Sequence, residues 1–129
     1  MRGTLHHLEL WVSDLGLARR EWGWLLGRLG CRQAGEWPEG TSWSLGSAYL
    51  TITLSPNLHG EEHDRRMPGV NHIAVHAGSP AELDELMTDA AEHGWSPLYH
   101  ERYPHAGGPD HYAGWLESRA GFKVELVAD

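Results

Sequence analysis

The chain is 129 residues long, enough for one compact domain or two half-size modules sharing a core. It is 40% apolar and 22% charged, which is globular rather than disordered, and its formal charge of −8 disfavours nucleic-acid and anionic-membrane surfaces. A lone cysteine, Cys31, excludes an intrachain disulfide framework and a cysteine-based zinc cage, and no apolar run approaches the roughly 18 residues of a membrane span. Arg65-Arg66 is the one basic cluster, too short for a nucleic-acid footprint. No apolar signal core follows Met1, so a reducing cytoplasm is the expected compartment. Ten histidines and seven tryptophans are many for this length and point to imidazole chemistry beside aromatic surface.

Residues 4 to 12 alternate with period two, which predicts a strand. Leu8, Leu10 and Val12 share its greasy face; His7, Glu9 and Trp11 share the other. Ser13-Asp14 offers capping oxygens for a helix over 15–29, with Gly30 as its stop. Three short strands follow, around 31–37, 41–46 and 48–54. The last of these points Tyr49, Thr51 and Thr53 away from Leu50, Ile52 and Leu54. Residues 55–69, punctuated by Pro56, Gly60, Pro68 and Gly69, read as a polar connector between modules. His59 and His63 fall there as solvated loop residues.

The pattern then restarts. Residues 69–76 alternate again and place His72, Ala74 and His76 on one side. Ser79-Pro80-Ala81-Glu82 is a capping-box helix start, and Gly94 ends that helix. Strands are expected at about 95–102, 111–117 and 122–128, the last setting Lys123, Glu125 and Val127 opposite Val124 and Leu126. The segment 103–112, rich in Gly and Pro, reads as a lid or substrate-contacting loop, or as a long hairpin connector. Cys31 has no activating partner in the sequence and reads as a buried thiol.

The order is therefore βαβββ twice: module 1 over about 4–54 and module 2 over about 70–128, an α+β fold. His7 and His72 are 65 residues apart, and Gly30 and Gly94 are 64 apart, as an internal repeat requires. Two such modules side by side form an open, cup-like mixed β-sheet with helices outside. His7, His72 and Glu125 then fall on one concave surface. Two neutral imidazoles and a carboxylate suit a divalent metal: Fe, Mn, Ni, Co or Zn. Positions left open would admit substrate oxygens. Glu9 or His76 is the candidate base, and Trp11 and Trp115 would flank a planar ligand.

Four stretches carry a family resemblance. They are His7-Leu8-Glu9-Leu10-Trp11-Val12-Ser13-Asp14-Leu15, Trp24-Leu25-Leu26-Gly27, Asn71-His72-Ile73-Ala74-Val75 and Gly121-Phe122-Lys123-Val124-Glu125-Leu126. The chain resembles the vicinal oxygen chelate superfamily, which holds glyoxalase I, extradiol dioxygenases and the fosfomycin and bleomycin resistance proteins. The resemblance implies ligands at His7, Thr53, His72 and Glu125, of which threonine is a poor donor. Trp115 stands where extradiol enzymes carry a tyrosine, and Glu9 where the fosfomycin enzymes carry a threonine. A metal-dependent lyase, isomerase, thiol transferase or dioxygenase acting on a small chelating substrate is implied. Tyr49, Thr51, Thr53, Tyr112, Trp115, Lys123 and Trp11 are the expected substrate contacts. The alternative is a metal-free protein that sequesters an aromatic antibiotic or other natural product. A homodimer is implied in either case.

Overall fold

A computed structural model describes residues 2–129 as two compact units that divide between Glu62 and His63. In the first unit, β1 (His7–Trp11), α1 (Leu15–Arg28), β2 (Gln33–Trp37), β3 (Gly40–Leu45) and β4 (Ala48–Thr53) follow in order. In the second, β5 (Ile73–His76), α2 (Pro80–Asp89), β6 (Trp95–Leu98), β7 (Ala113–Ser118) and β8 (Lys123–Val127) repeat the pattern. Each unit is an open four-stranded mixed sheet, ordered β1-β4-β3-β2 and β5-β8-β7-β6. The first strand of each unit pairs parallel with the last, and the other pairings are antiparallel. Among the described residues, no helix is long and apolar enough to cross a membrane.

The helices begin where their capping residues stand. Asp14 accepts from the Leu17 amide at 3.0 Å to open α1. Ser79 and Glu82 form the reciprocal box at α2, and Pro80 takes the first turn, where its missing N–H costs nothing. Gly30 and Gly94 close the helical segments in left-handed geometry. Cys31 donates its amide back to Leu26, so β2 opens at Gln33 rather than at residue 31. Its thiol is half-buried, and burial raises its pKa, which leaves it unreactive.

Each sheet turns one face to its own helix. Trp43, Leu50 and Ile52 pack under α1, whose Trp22, Leu25 and Leu26 are buried. Leu116, Val124 and Leu126 pack under α2 with Leu83, Leu86 and Met87. Each such side chain contributes roughly 1.5–3 kcal/mol when fully buried. Arg19 of α1 ties the β2–β3 turn down. Its guanidinium donates to Thr41 Oγ1 (2.9 Å) and to the carbonyls of Trp37 (2.6 Å) and Gly40 (3.0 Å). Gly40 must be glycine: a Cβ there would lie 2.5 Å from the Trp37 ring and 2.7 Å from the Ile52 carbonyl.

Other strand boundaries also differ from the sequence expectation. The alternation beginning at residue 69 becomes a paired strand only at Ile73; before it, Asn71 donates its side-chain amide to the Arg65 carbonyl. The strand expected to reach residue 102 ends at Leu98. Tyr99 takes φ +56°, a left-handed conformation rare for an aromatic residue, and a short 3-10 turn over His100–Arg102 follows.

Candidate functional site

The sheet of the second unit has a chemical face opposite α2. Trp115 of β7 is directly across from Glu125 of β8, and Ala74 of β5 is across from Glu125 on its other side. Gly114, the neighbour of Trp115, instead meets Met87 of α2, which confirms the alternation. Glu125 therefore projects from the centre of this face, and its side chain is 12% exposed.

Two imidazoles meet that carboxylate. His72 Nε2 is 3.2 Å from Oε1, and His111 Nε2 is 2.6 Å from Oε2. The network assigns their protons. Asn71 Nδ2 donates to the Arg65 carbonyl at 3.0 Å, so its amide oxygen faces His72 Nδ1 at 2.8 Å and must accept. His72 Nδ1–H thus donates to the Asn71 amide oxygen, and its Nε2 faces a carboxylate oxygen of Glu125. His111 differs: at 2.6 Å its Nε2–H donates to Oε2 and holds the carboxylate in place. Gly107 leaves room for this contact, since a Cβ would lie 2.7 Å from the His111 ring and 3.0 Å from Trp115.

Beside this cluster, on the same strand and face, is Lys123. Its ammonium donates to Tyr99 Oη at 2.9 Å and lies 4.9 Å from that ring's centre. Tyr99 meets Trp115 edge-on at 5.8 Å, and Trp115 is tilted against His111 at 6.1 Å.

Tyr112 is not brought to this face. Its hydroxyl donates to Asp84 of α2 at 2.7 Å, and Tyr103 donates to the same oxygen at 2.6 Å. The 103–112 segment is further fastened by Ala113 N–H to the Pro104 carbonyl and His105 Nδ1 near the His111 carbonyl. It is a tethered connector rather than a hinged lid. The hydrogen bonds from Tyr103 and Tyr112 hold the Asp84 carboxyl below the usual range. Burial and the Asp84 hydrogen bond push the Tyr103 phenol well up, and the Asp84 hydrogen bond raises Tyr112. A lowered acid stabilises the fold above its unfolded value, and that contribution is lost as pH falls through the folded one. Raised phenols stabilise below their unfolded value and lose it as pH rises through the folded one. The strap is therefore expected to hold between about pH 4 and pH 10 and to loosen on both sides. Proteolysis of the 99–112 segment across pH checks this. Asp84→Asn should flatten the acid limb; an unchanged limb would assign it to other carboxylates.

His76 also lies apart: it is exposed, and its Nδ1 is 2.9 Å from Asp129. His63 of the connector stacks on Phe122 at 4.3 Å, and Arg65 pairs with Glu117 at 2.6 Å.

In the first unit, the sheet face opposite α1 carries the expected polar residues. His7 is exposed, stacks on Tyr49 at 4.9 Å with rings nearly parallel, and shares a 2.9 Å contact between its Nδ1 and that of His6. Glu9 accepts from the Trp11 indole at 2.6 Å. Thr51 is buried and exchanges a 2.7 Å hydrogen bond with Ser42, its cross-strand partner. Thr53 is half-buried beside Trp11 in the register.

The sequence reading missed His111, Asn71 and Tyr99 as parts of the second unit's site. His111 has the same parity as Trp115, and that was the available signal. Asn71 precedes His72 inside a quoted stretch, but its amide orientation depends on Arg65, six residues back.

Among the described residues, no group of three or more His, Cys, Asp or Glu side chains is arranged to hold a metal ion as they stand. The His72–Glu125–His111 cluster is spaced for hydrogen bonding. Its donor types nevertheless fit a divalent ion: an imidazole whose Nδ1 is anchored by an amide turns its Nε2 to a nearly buried carboxylate.

The sequence profile of the Glyoxalase/Bleomycin resistance protein/Dioxygenase superfamily matches residues 6–115. The chain is 43% identical over 126 residues to the uncharacterized protein YqjT of Bacillus subtilis strain 168, covering 96% of this chain and 98% of that one. A provisionally named glyoxalase from Bacillus halodurans has a crystal structure that superposes with a TM-score of 0.92 at 39% identity, covering 99% and 97% of the two chains. The lactoylglutathione lyase of Agrobacterium tumefaciens shares the fold at TM-score 0.64 and 17% identity, over 98% and 93%.

Proposed function

Because the chain belongs to the glyoxalase/bleomycin resistance protein/dioxygenase superfamily, we propose that it is a divalent-metal-dependent enzyme acting on a small oxygen-chelating substrate. His72 and Glu125 are its ligands from the second unit. His7 is the ligand the family resemblance adds from the first. The observation that supports this reading is the Nε2 of His72 held 3.2 Å from the Glu125 carboxylate, with its Nδ1 anchored by the Asn71 amide. There, His72 and Glu125 would hold a divalent ion, which would supply Lewis acidity toward a substrate oxygen.

The chain's own residues do the rest. Asn71 keeps the proton of His72 on Nδ1 and the ring in one orientation. His111 restrains the second carboxylate oxygen. Trp115 gives a planar substrate an apolar wall beside them. Glu9, in the first unit, is the candidate proton acceptor. The same family reading carries the expectation of a cytoplasmic homodimer.

The test is metal content. Protein purified without chelator, loaded in turn with Fe(II), Mn, Ni, Co and Zn and then desalted, is expected to retain about one ion per chain of at least one metal. Retention below about 0.1 per chain for all five would overturn the reading in favour of a metal-free binder of aromatic natural products.

A further inference from the structure

Lys123 is the single lysine of the chain, and it is 9% exposed. A buried ammonium ordinarily pairs with a carboxylate. Here two carboxylates are near in the sheet, and both are engaged elsewhere. Glu117, across from Lys123 in the register, is taken by Arg65 at 2.6 Å. Glu125, two residues along on the same face, is taken by His72 and His111. The partner of Lys123 is a phenol, Tyr99 Oη at 2.9 Å.

That pairing has a directional consequence. An ammonium has only donors, so the phenol oxygen accepts and the Tyr99 O–H remains available to donate. Lys123 polarises that O–H, and Arg102, 5.3 Å from the same ring, adds a second positive charge. The phenol's acidity responds accordingly: its pKa is lowered, first by the Lys123 hydrogen bond. The backbone of Tyr99 is held at φ +56°, a conformation that costs an aromatic residue energy and that serves to bring its ring onto Lys123. Trp115 bridges the two groups, touching Tyr99 on one side and His111 on the other.

We propose that Tyr99 and Lys123 form an anion subsite, in which the phenol O–H, backed by the ammonium, donates to a carboxylate or phosphonate oxygen of the substrate. The ligand class is a small oxyacid. Its placement as a substrate group rests on the proposed enzymatic function, but the subsite itself is tested without metal.

The single lysine makes the test direct. In full-length metal-free protein with isotope-labelled lysine, one ε-methylene resonance reports on Lys123. Benzoate and methylphosphonate are expected to shift it saturably, and benzamide, the neutral isostere of benzoate, is not. Tyr99→Phe keeps the ring and removes only the O–H; it should weaken benzoate about tenfold, the effect of one hydrogen bond to a charged group. Lys123→Met, followed by calorimetry, should abolish benzoate binding; if that variant does not fold, Tyr99→Phe decides alone. Equal binding of benzoate and benzamide, undiminished benzoate affinity in Tyr99→Phe, or no saturation by either anion up to tens of millimolar would each overturn the proposal. Failure to retain a metal ion would leave these results unaffected.

Discussion

Replacing Glu125 with alanine is expected to weaken divalent-metal binding by more than about a hundredfold, because loss of an outer-shell partner alone typically costs 10–100-fold. The carboxylate is the one group that both His72 and His111 address. Without it, His72 Nε2 loses the carboxylate beside it. The metal-free fold should survive, since Glu125 projects from the face opposite the α2 core while Val124 and Leu126 stay buried. The measurement is thermal unfolding with and without metal. A ligand at a hundred times its Kd stabilises the wild type by about 2.7 kcal/mol, and the variant should show less than about 0.4 kcal/mol of this. Asn71→Ala should give a smaller loss, of roughly 10–100-fold, while keeping both ligands. Wild-type metal affinity in the Glu125 variant would remove Glu125 from the ligand set.

The largest stability loss is expected from Trp95→Ala, at about 3–5 kcal/mol. Trp95 is fully buried, the largest side chain in the core to be so. It opens β6 directly after the left-handed Gly94 and pairs in register with Ser118 of β7. Truncation leaves a cavity that a surrounding core relaxes into only in part. The loss approaches the whole stability of a small domain, about 5–15 kcal/mol, so urea unfolding should show a much lower midpoint. The effect should also reach the chemical face, because β6 holds Leu98 opposite Trp115. A cost below about 1.5 kcal/mol would mean that the site collapses to fill the void.

Two residues show how far the sequence could be read. Period-two alternation in the last strand separated Glu125 and Lys123 from Val124 and Leu126, and the coordinates agree. The same alternation, applied strictly to 111–117, sets Tyr112 on the helix side with Gly114, which is where Asp84 holds it. Naming Tyr112 as a substrate contact set aside a rule the sequence already contained. His111 was legible by that rule and was overlooked.

What the sequence determined by itself is whatever depends on neighbours in the chain. Caps, helix stops, strand parity and the βαβββ repeat follow from local sterics and hydrogen bonding, which operate over a few residues. Tertiary structure alone decided the orientation of His72, the partner of Lys123 and the backbone of Tyr99. Each depends on a group brought close by folding: the Arg65 carbonyl through Asn71, the Tyr99 phenol, and the Lys123 ammonium. Hydrogen bonds and charges act over a few ångströms of space, and residues 24 apart in the chain reach that range only once the sheet has formed.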